Sequence, residues 1–171
     1  MSLLTKVNVA FDHVLNSLAY IASLLILVAW VIVCGEIVMR YFFKNPLTWA
    51  VEFTEYSMLY ATFLGSAWLL REEGHVNINL ILNGLNPKTQ AIINFITSIF
   101  GIIACSIVVW YGAKSTLTHY RDGIRAFTAL LLLKWPFIII IPFGSFLLAM
   151  QFVRRAHGCW EKIMVIKNSN Q

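Results

Sequence analysis

The stretch that decides the fold runs from Glu36 to Glu55 and reads EIVMRYFFKNPLTWAVEFTE. A long apolar segment enters it and another leaves it, and the stretch contains two cations, a proline, a tryptophan and three carboxylates. Tyr41 and Trp49 carry amphipathic rings of the kind that occupy the headgroup layer of a bilayer. Pro46 ends any helical pattern and forces an extended residue before it. The pattern predicts a short loop at a membrane surface, joining two spanning helices.

The composition supports a membrane protein over the whole chain. Of 171 residues, 59% are hydrophobic and only 12% are charged, whereas a soluble domain carries about a quarter charged residues. The mean hydropathy is +0.74. The net charge of +5 comes from cations at the ends of apolar segments, which indicates contact with lipid headgroups and not with nucleic acid. We therefore predict one all-α integral membrane domain, residues 1–171.

Uninterrupted apolar runs of about 20 residues match the thickness of a bilayer. Four such runs predict four transmembrane helices, at about 14–39, 49–70, 88–112 and 135–153. At the start of the second helix, Thr48 is predicted to be the cap and Glu52 to lie in the first turn. Pro142 falls inside the last run, where we expect a kink.

Two further segments are too short or too polar to span. In residues 76–86 the apolar side chains recur at helical spacing while asparagines lie between them, which predicts an amphipathic helix along the membrane surface. Residues 113–134 are mixed, with a turn signal at Asp122-Gly123 and a second short interfacial helix predicted at 126–133.

The distribution of Lys and Arg predicts the topology. Four spans place both termini on one side with seven cations, against six on the other side. This difference favours both termini in the cytoplasm. The first apolar run is too long for the core of a signal peptide, so we expect it to remain as an anchor.

Three carboxylates, Glu36, Glu52 and Glu55, lie in or beside the predicted spans, where acids are costly and usually functional. One interpretation is structural, because all three lie near one interface and can pair with Arg40 or Lys44. Glu36 precedes Arg40 by four residues, the favourable helical order for an ion pair. The alternative is an autonomous, small proton-coupled exporter that uses Glu36.

Other functional classes find little support in the sequence. The four histidines lie at or beyond the ends of the spans, whereas a haem-binding bundle needs histidines that face each other inside the spans. No nucleophile–base set, phosphate-binding glycine loop or metal-ligand spacing occurs, and the three cysteines have no CxxC spacing. We expect no enzyme activity and no cofactor in this chain.

Several short motifs, in a fixed order over residues 15–155, carry a family resemblance. They are Arg40-Tyr41-Phe42 followed by Pro46, Trp49 and Glu52; Gly65-Ser66-Ala67; Arg71 with His75-Val76-Asn77; Pro136; and Ile141-Pro142-Phe143-Gly144. With these motifs the chain resembles the small membrane subunit of tripartite ATP-independent periplasmic (TRAP) transporters, the DctQ-like family. One departure is visible: the family often has two adjacent acids after the tryptophan, whereas here Val51 precedes Glu52 and the second acid is Glu55.

The resemblance implies a non-catalytic scaffold in the bacterial inner membrane. It implies a large, many-span partner subunit that holds the sodium and substrate sites of an elevator-type transporter, encoded as a separate polypeptide. It also implies a soluble periplasmic protein that delivers an organic anion such as a C4-dicarboxylate, a sialic acid or a sulfonate. The segment 76–86 would then match the family's membrane-lying arm helix.

The residues that we expect to form an interfacial ion-pair cluster or partner contact share one feature: they lie in the stretch from Glu36 to Glu55. They are Arg40, Lys44, Trp49, Glu52 and Glu55.

Overall fold

The computed structural model describes residues 3–72, 87–123 and 135–168. Within these ranges the secondary structure is helical, which confirms the all-α class. The helices are α1 (Leu3–Phe42), α2 (Thr48–Arg71), α3 (Pro87–Arg121), α4 (Trp135–Ile138) and α5 (Ile140–Asn168). The predicted interfacial helices at 76–86 and 126–133 lie outside the described residues.

Three of the four predicted spans are confirmed by length and composition among the described residues. They correspond to α1, α3, and the combined α4 and α5. Helix α2 has 24 residues, about 36 Å at 1.5 Å per residue, which is long enough to cross. It is not among the helices that are apolar enough, because it carries Glu52, Glu55 and several hydroxyl side chains. The second span therefore stays a prediction.

Helix α3 is longer than the predicted span, which was expected to end near residue 112. It continues to Arg121 through a segment that is rich in polar side chains. There the hydroxyls of Thr116 and Thr118 donate to the carbonyls of Gly112 and Lys114 at 2.8 and 3.1 Å. The helix then stops at the predicted Asp122-Gly123 turn, where Gly123 adopts a φ of 59°.

The loop between α1 and α2 forms where the sequence predicts it. The amide of Asn45 donates to the Met39 carbonyl at 3.3 Å, and Lys44 has a φ of 52°, the left-handed geometry that closes a helix. The predicted cap of α2 is wrong. Leu47, held extended after Pro46, is the N-cap residue and Thr48 is already helical. Glu52 consequently lies beyond the first turn.

The four long helices pack as an open row in the order α1, α2, α5, α3. Helix α2 lies between α1 and α5, whereas α3 packs mainly on α5, and α1 and α3 make at most marginal contact. The core has two small clusters, one around Ala22, Ala61 and Ile140 and one around Leu15, Ala67 and Leu147. Alanines at these positions let the helix axes approach closely.

Glycine allows a close approach of α2 and α5. A Cβ on Gly144 would lie 2.6 Å from the carbonyl oxygen of Phe63, so the two backbones nearly touch there. The expected interruption near Pro142 occurs three residues earlier, at Ile139, which separates α4 from α5. Pro142 has no N–H to donate to the Ile138 carbonyl, which explains why the helix is broken one turn before it.

Candidate functional site

At the loop end of the molecule, α1 carries a buried carboxylate paired with an exposed guanidinium. Arg40 Nε and Nη2 donate to the two oxygens of Glu36 at 2.8 and 2.7 Å. Glu36 is 6% exposed, whereas the Arg40 side chain is 54% exposed. The four-residue spacing places both groups on one side of the helix. Two parallel charge-assisted hydrogen bonds fix the carboxylate's orientation.

A small cavity of about 240 Å³ lies between α1, α2 and α4. Its lining is largely aromatic, and Glu52 supplies the buried carboxylate in it. Tyr56 stacks on Phe137 with ring centroids 3.9 Å apart, and the Tyr60 hydroxyl donates to the Pro136 carbonyl at 2.7 Å. These two contacts hold the short helix α4 against α2. Trp49, another lining residue, is 41% exposed.

The remaining two predicted residues, Lys44 and Glu55, are exposed. Neither forms a salt bridge with another described residue. Glu55 lies on the outward side of α2, in a shallow groove with Met58 and Thr62, whereas Glu52 lines the inner cavity. The structure thus distributes the five predicted residues over four places: α1, the loop after it, the inner cavity and the outward side of α2. Their role in assembly stays a prediction.

The opposite end of the molecule carries a polar cluster that the sequence analysis did not identify. Arg154 of α5 contacts the Asp12 carboxylate of α1 at 2.8 Å. Arg71 of α2 donates to the Asn16 side chain at 2.6 Å and to the Asp12 carbonyl at 3.2 Å. The cluster, made of Asp12, Asn16, Arg71 and Arg154, connects the ends of three helices.

A further contact extends this connection to the fourth long helix. Arg155 Nη2 donates to the Asn94 side chain of α3 at 3.1 Å. Arg154 also lies over the Phe11 ring, 5.2 Å from its centroid. Such polar contacts fix the helix ends relative to one another without holding a reacting group. A four-span topology would bring these residues to the same membrane surface, but the sequence does not indicate which of them are adjacent.

Comparisons with known proteins show which family most of the chain resembles. A family model described as tripartite ATP-independent periplasmic transporters, DctQ component, matches residues 29–162. Two proteins of Haemophilus influenzae, both named TRAP transporter small permease protein, are similar to the chain. One is 30% identical over 122 residues, covering 70% of this chain and 71% of the relative. The other is 25% identical over 103 residues, covering 60% and 62%.

Proposed function

The chain belongs to the DctQ component family of the TRAP transporters, and from this we propose that it is the stationary scaffold of a sodium-coupled uptake system. In this proposal a large, many-span subunit holds the sodium and substrate sites. The small subunit anchors and widens the part of the assembly that stays fixed. A periplasmic binding protein delivers an organic anion, such as a C4-dicarboxylate, a sialic acid or a sulfonate.

The observation that carries the proposal is the open helix row. Between 11% and 28% of the residues in the apolar cores of α1, α3 and the α4–α5 pair are buried. A protein that transports solute alone needs an enclosed polar path near the middle of the membrane. The described helices instead present broad faces to their surroundings, which suits a protein that is covered by a partner and by lipid.

The polar contacts at the two ends of the row support a rigid role. Asp12, Arg71 and Arg154 join α1, α2 and α5 at one end, and the Tyr56–Phe137 stack joins α2 to α4 towards the other. The charged contacts at Asp12 are partly exposed, so each contributes about 1 kcal/mol after screening by solvent. They resist relative motion of the helices, as a fixed support for a moving neighbour requires.

The alternative of a proton-coupled exporter is not favoured by the geometry of its key residue. Glu36 accepts two hydrogen bonds from Arg40 and lies close to the end of α1. A proton-coupled carboxylate would be expected near the middle of the membrane, whereas Glu36 is held by Arg40 on its own helix.

The decisive experiment is purification of this chain after co-expression with a large TRAP subunit, followed by reconstitution into vesicles. We expect a stable complex, and sodium-dependent uptake only when the large subunit and the binding protein are also present. Vesicles that contain only the small chain serve as the control. Solute transport by that control, or isolation of the chain solely as its own oligomer, would contradict the proposal.

A further inference from the structure

We propose that the outward side of α2 is the surface on which a transmembrane helix of the large subunit docks, with a Lys or Arg of that helix paired to Glu55. This inference rests on the scaffold function proposed above and names the surface that performs it. The shape, the polarity and the charge of one helix face support this docking site.

The face is a single strip along α2, here called the α2 ridge. Its members follow one another at helical spacing, so they lie on one side of the helix. They are Val51, Glu55, Met58, Thr62 and Leu69, all exposed. Val51 is 62% exposed and Met58 is 64% exposed. The other sides of α2 are covered by α1, α4 and α5, so the ridge is the side left open.

The polarity of α2 makes lipid a poor neighbour for this ridge. Among the long described helices, α2 alone fails to be apolar enough to cross a membrane by composition. Glu55 lies seven residues after Thr48, about 10 Å along the axis. In a 36 Å helix centred on a hydrocarbon layer about 30 Å thick, this position is inside the hydrocarbon.

The charge at this position specifies the partner's chemistry. Glu55 forms no salt bridge with any described residue, and an ionised carboxylate facing hydrocarbon is costly unless a cation neutralises it. The Thr62 hydroxyl needs no partner on another chain, because it already donates to the Met58 carbonyl at 2.8 Å. A partner helix with a Lys or Arg level with Glu55 supplies the missing charge.

The shape of the surface suits a helix. A groove of about 760 Å³ runs along the α1 side of the ridge, with Ala19, Ser23, Gly65 and Ser66 among its lining residues. A smaller groove of about 290 Å³ runs along the other side and includes Phe63. A ridge between two grooves is the pattern that packed helices present to each other. An acyl chain can also enter a groove, but it cannot neutralise Glu55.

The exposed side of α3 provides the contrast. Its side chains there are apolar, including Ile103, Ile107 and Trp110, and the described part of α3 is apolar enough to span. Over residues 96–110 that face is compatible with lipid and carries no charge, and the exposed Lys114 lies one turn beyond it.

The test uses the full complex of this chain with the co-expressed large subunit. A photo-crosslinking amino acid is placed at Thr62 on the ridge or, as the matched control, at Ile103 on the exposed side of α3. We expect crosslinks to the large subunit from position 62 and not from position 103. Mass spectrometry identifies the crosslinked helix, which should carry a Lys or Arg near the contact.

A charge reversal gives the second readout. Glu55→Lys should lower the yield of co-purified large subunit roughly tenfold, corresponding to about 1.4 kcal/mol. A Lys or Arg→Glu change on the crosslinked partner helix should restore the yield. Glu161→Lys, at an exposed site on α5, is the matched control and should leave the yield unchanged.

The possible failures are distinguishable. If the large subunit never co-purifies with the wild-type chain, the scaffold function itself is wrong. If it co-purifies but crosslinks from position 103 and not from position 62, the scaffold function holds and the α2 ridge is overturned. Crosslinks from position 62 only to lipid, or only to a second copy of this chain, also overturn it, as does an unchanged yield with Glu55→Lys.

Discussion

The ion pair on α1 shows how one buried charge depends on one neighbour. Arg40→Ala would leave the Glu36 carboxylate, 6% exposed, without its two guanidinium hydrogen bonds. We expect a loss of about 1–3 kcal/mol in stability and a lower yield of the complex, because an unpaired buried charge retains its full desolvation cost. Thermal unfolding in detergent and co-purification with the large subunit measure the two effects.

A double variant makes that prediction specific to the pair. Removing both charges, with Glu36→Gln and Arg40→Ala together, should recover much of the lost stability, because no buried charge is then left unpaired. If the single variant retains wild-type stability and complex yield, or if the double variant is no better than the single one, the pair does not have this role.

A second prediction at the residue scale concerns the cluster at the other end. Asp12→Asn would leave the guanidinium of Arg154 without the anion that it contacts at 2.8 Å, and would weaken the link between α1 and α5. We expect a loss of about 1 kcal/mol, since the Asp12 side chain is 39% exposed and partly screened by solvent. Glu161→Gln changes a far more exposed contact, with His157, and should have no effect. Equal melting temperatures for the two variants would refute the prediction.

At the scale of helices, the close contact of α2 and α5 depends on one missing side chain. Gly144→Ala would place a Cβ 2.6 Å from the Phe63 carbonyl oxygen, and a backbone atom cannot move aside as a side chain can. We expect a loss of about 1–3 kcal/mol through separation of the helices. Gly158→Ala on the same helix meets open space and should be neutral or slightly stabilising. Thermal unfolding distinguishes the two, and equal stability would show that the helices can separate without loss.

The sequence predicts where the helices form better than it predicts which helices pack together. Apolar runs, Pro46 and the Asp122-Gly123 turn locate the helices because each signal is local. The extension of α3 to Arg121 was missed because a helix need not end where the hydrocarbon ends. The Asp12–Arg154 contact joins residues far apart in sequence, so it depends on which helices are adjacent. No spacing in a single chain reveals that adjacency.

At the scale of the whole molecule, the packing bears on whether α2 crosses the membrane. Leu15 and Ala67 share one buried cluster, Ala22 and Ala61 share another, and Arg71 reaches the carbonyl of Asp12. Helix α2 therefore lies antiparallel to α1 over most of its own length. Because α1 is apolar enough to span, a helix packed beside it at the same depth should span as well.

The packing of α2 beside α1 predicts a topology that reporter fusions can test. If α2 crosses and the N-terminus is cytoplasmic, a fusion after Asp122 lies in the periplasm and a fusion at the C-terminus lies in the cytoplasm. If α2 does not cross, both positions are reversed. We expect active alkaline phosphatase after Asp122 and fluorescent green fluorescent protein at the C-terminus, in agreement with the seven cations against six.

The reverse pattern would mean that α2 and α1 do not share the same depth, or that the cation distribution does not set the orientation. A fusion within the N-terminal segment separates these two explanations, since only the second moves the N-terminus to the periplasm.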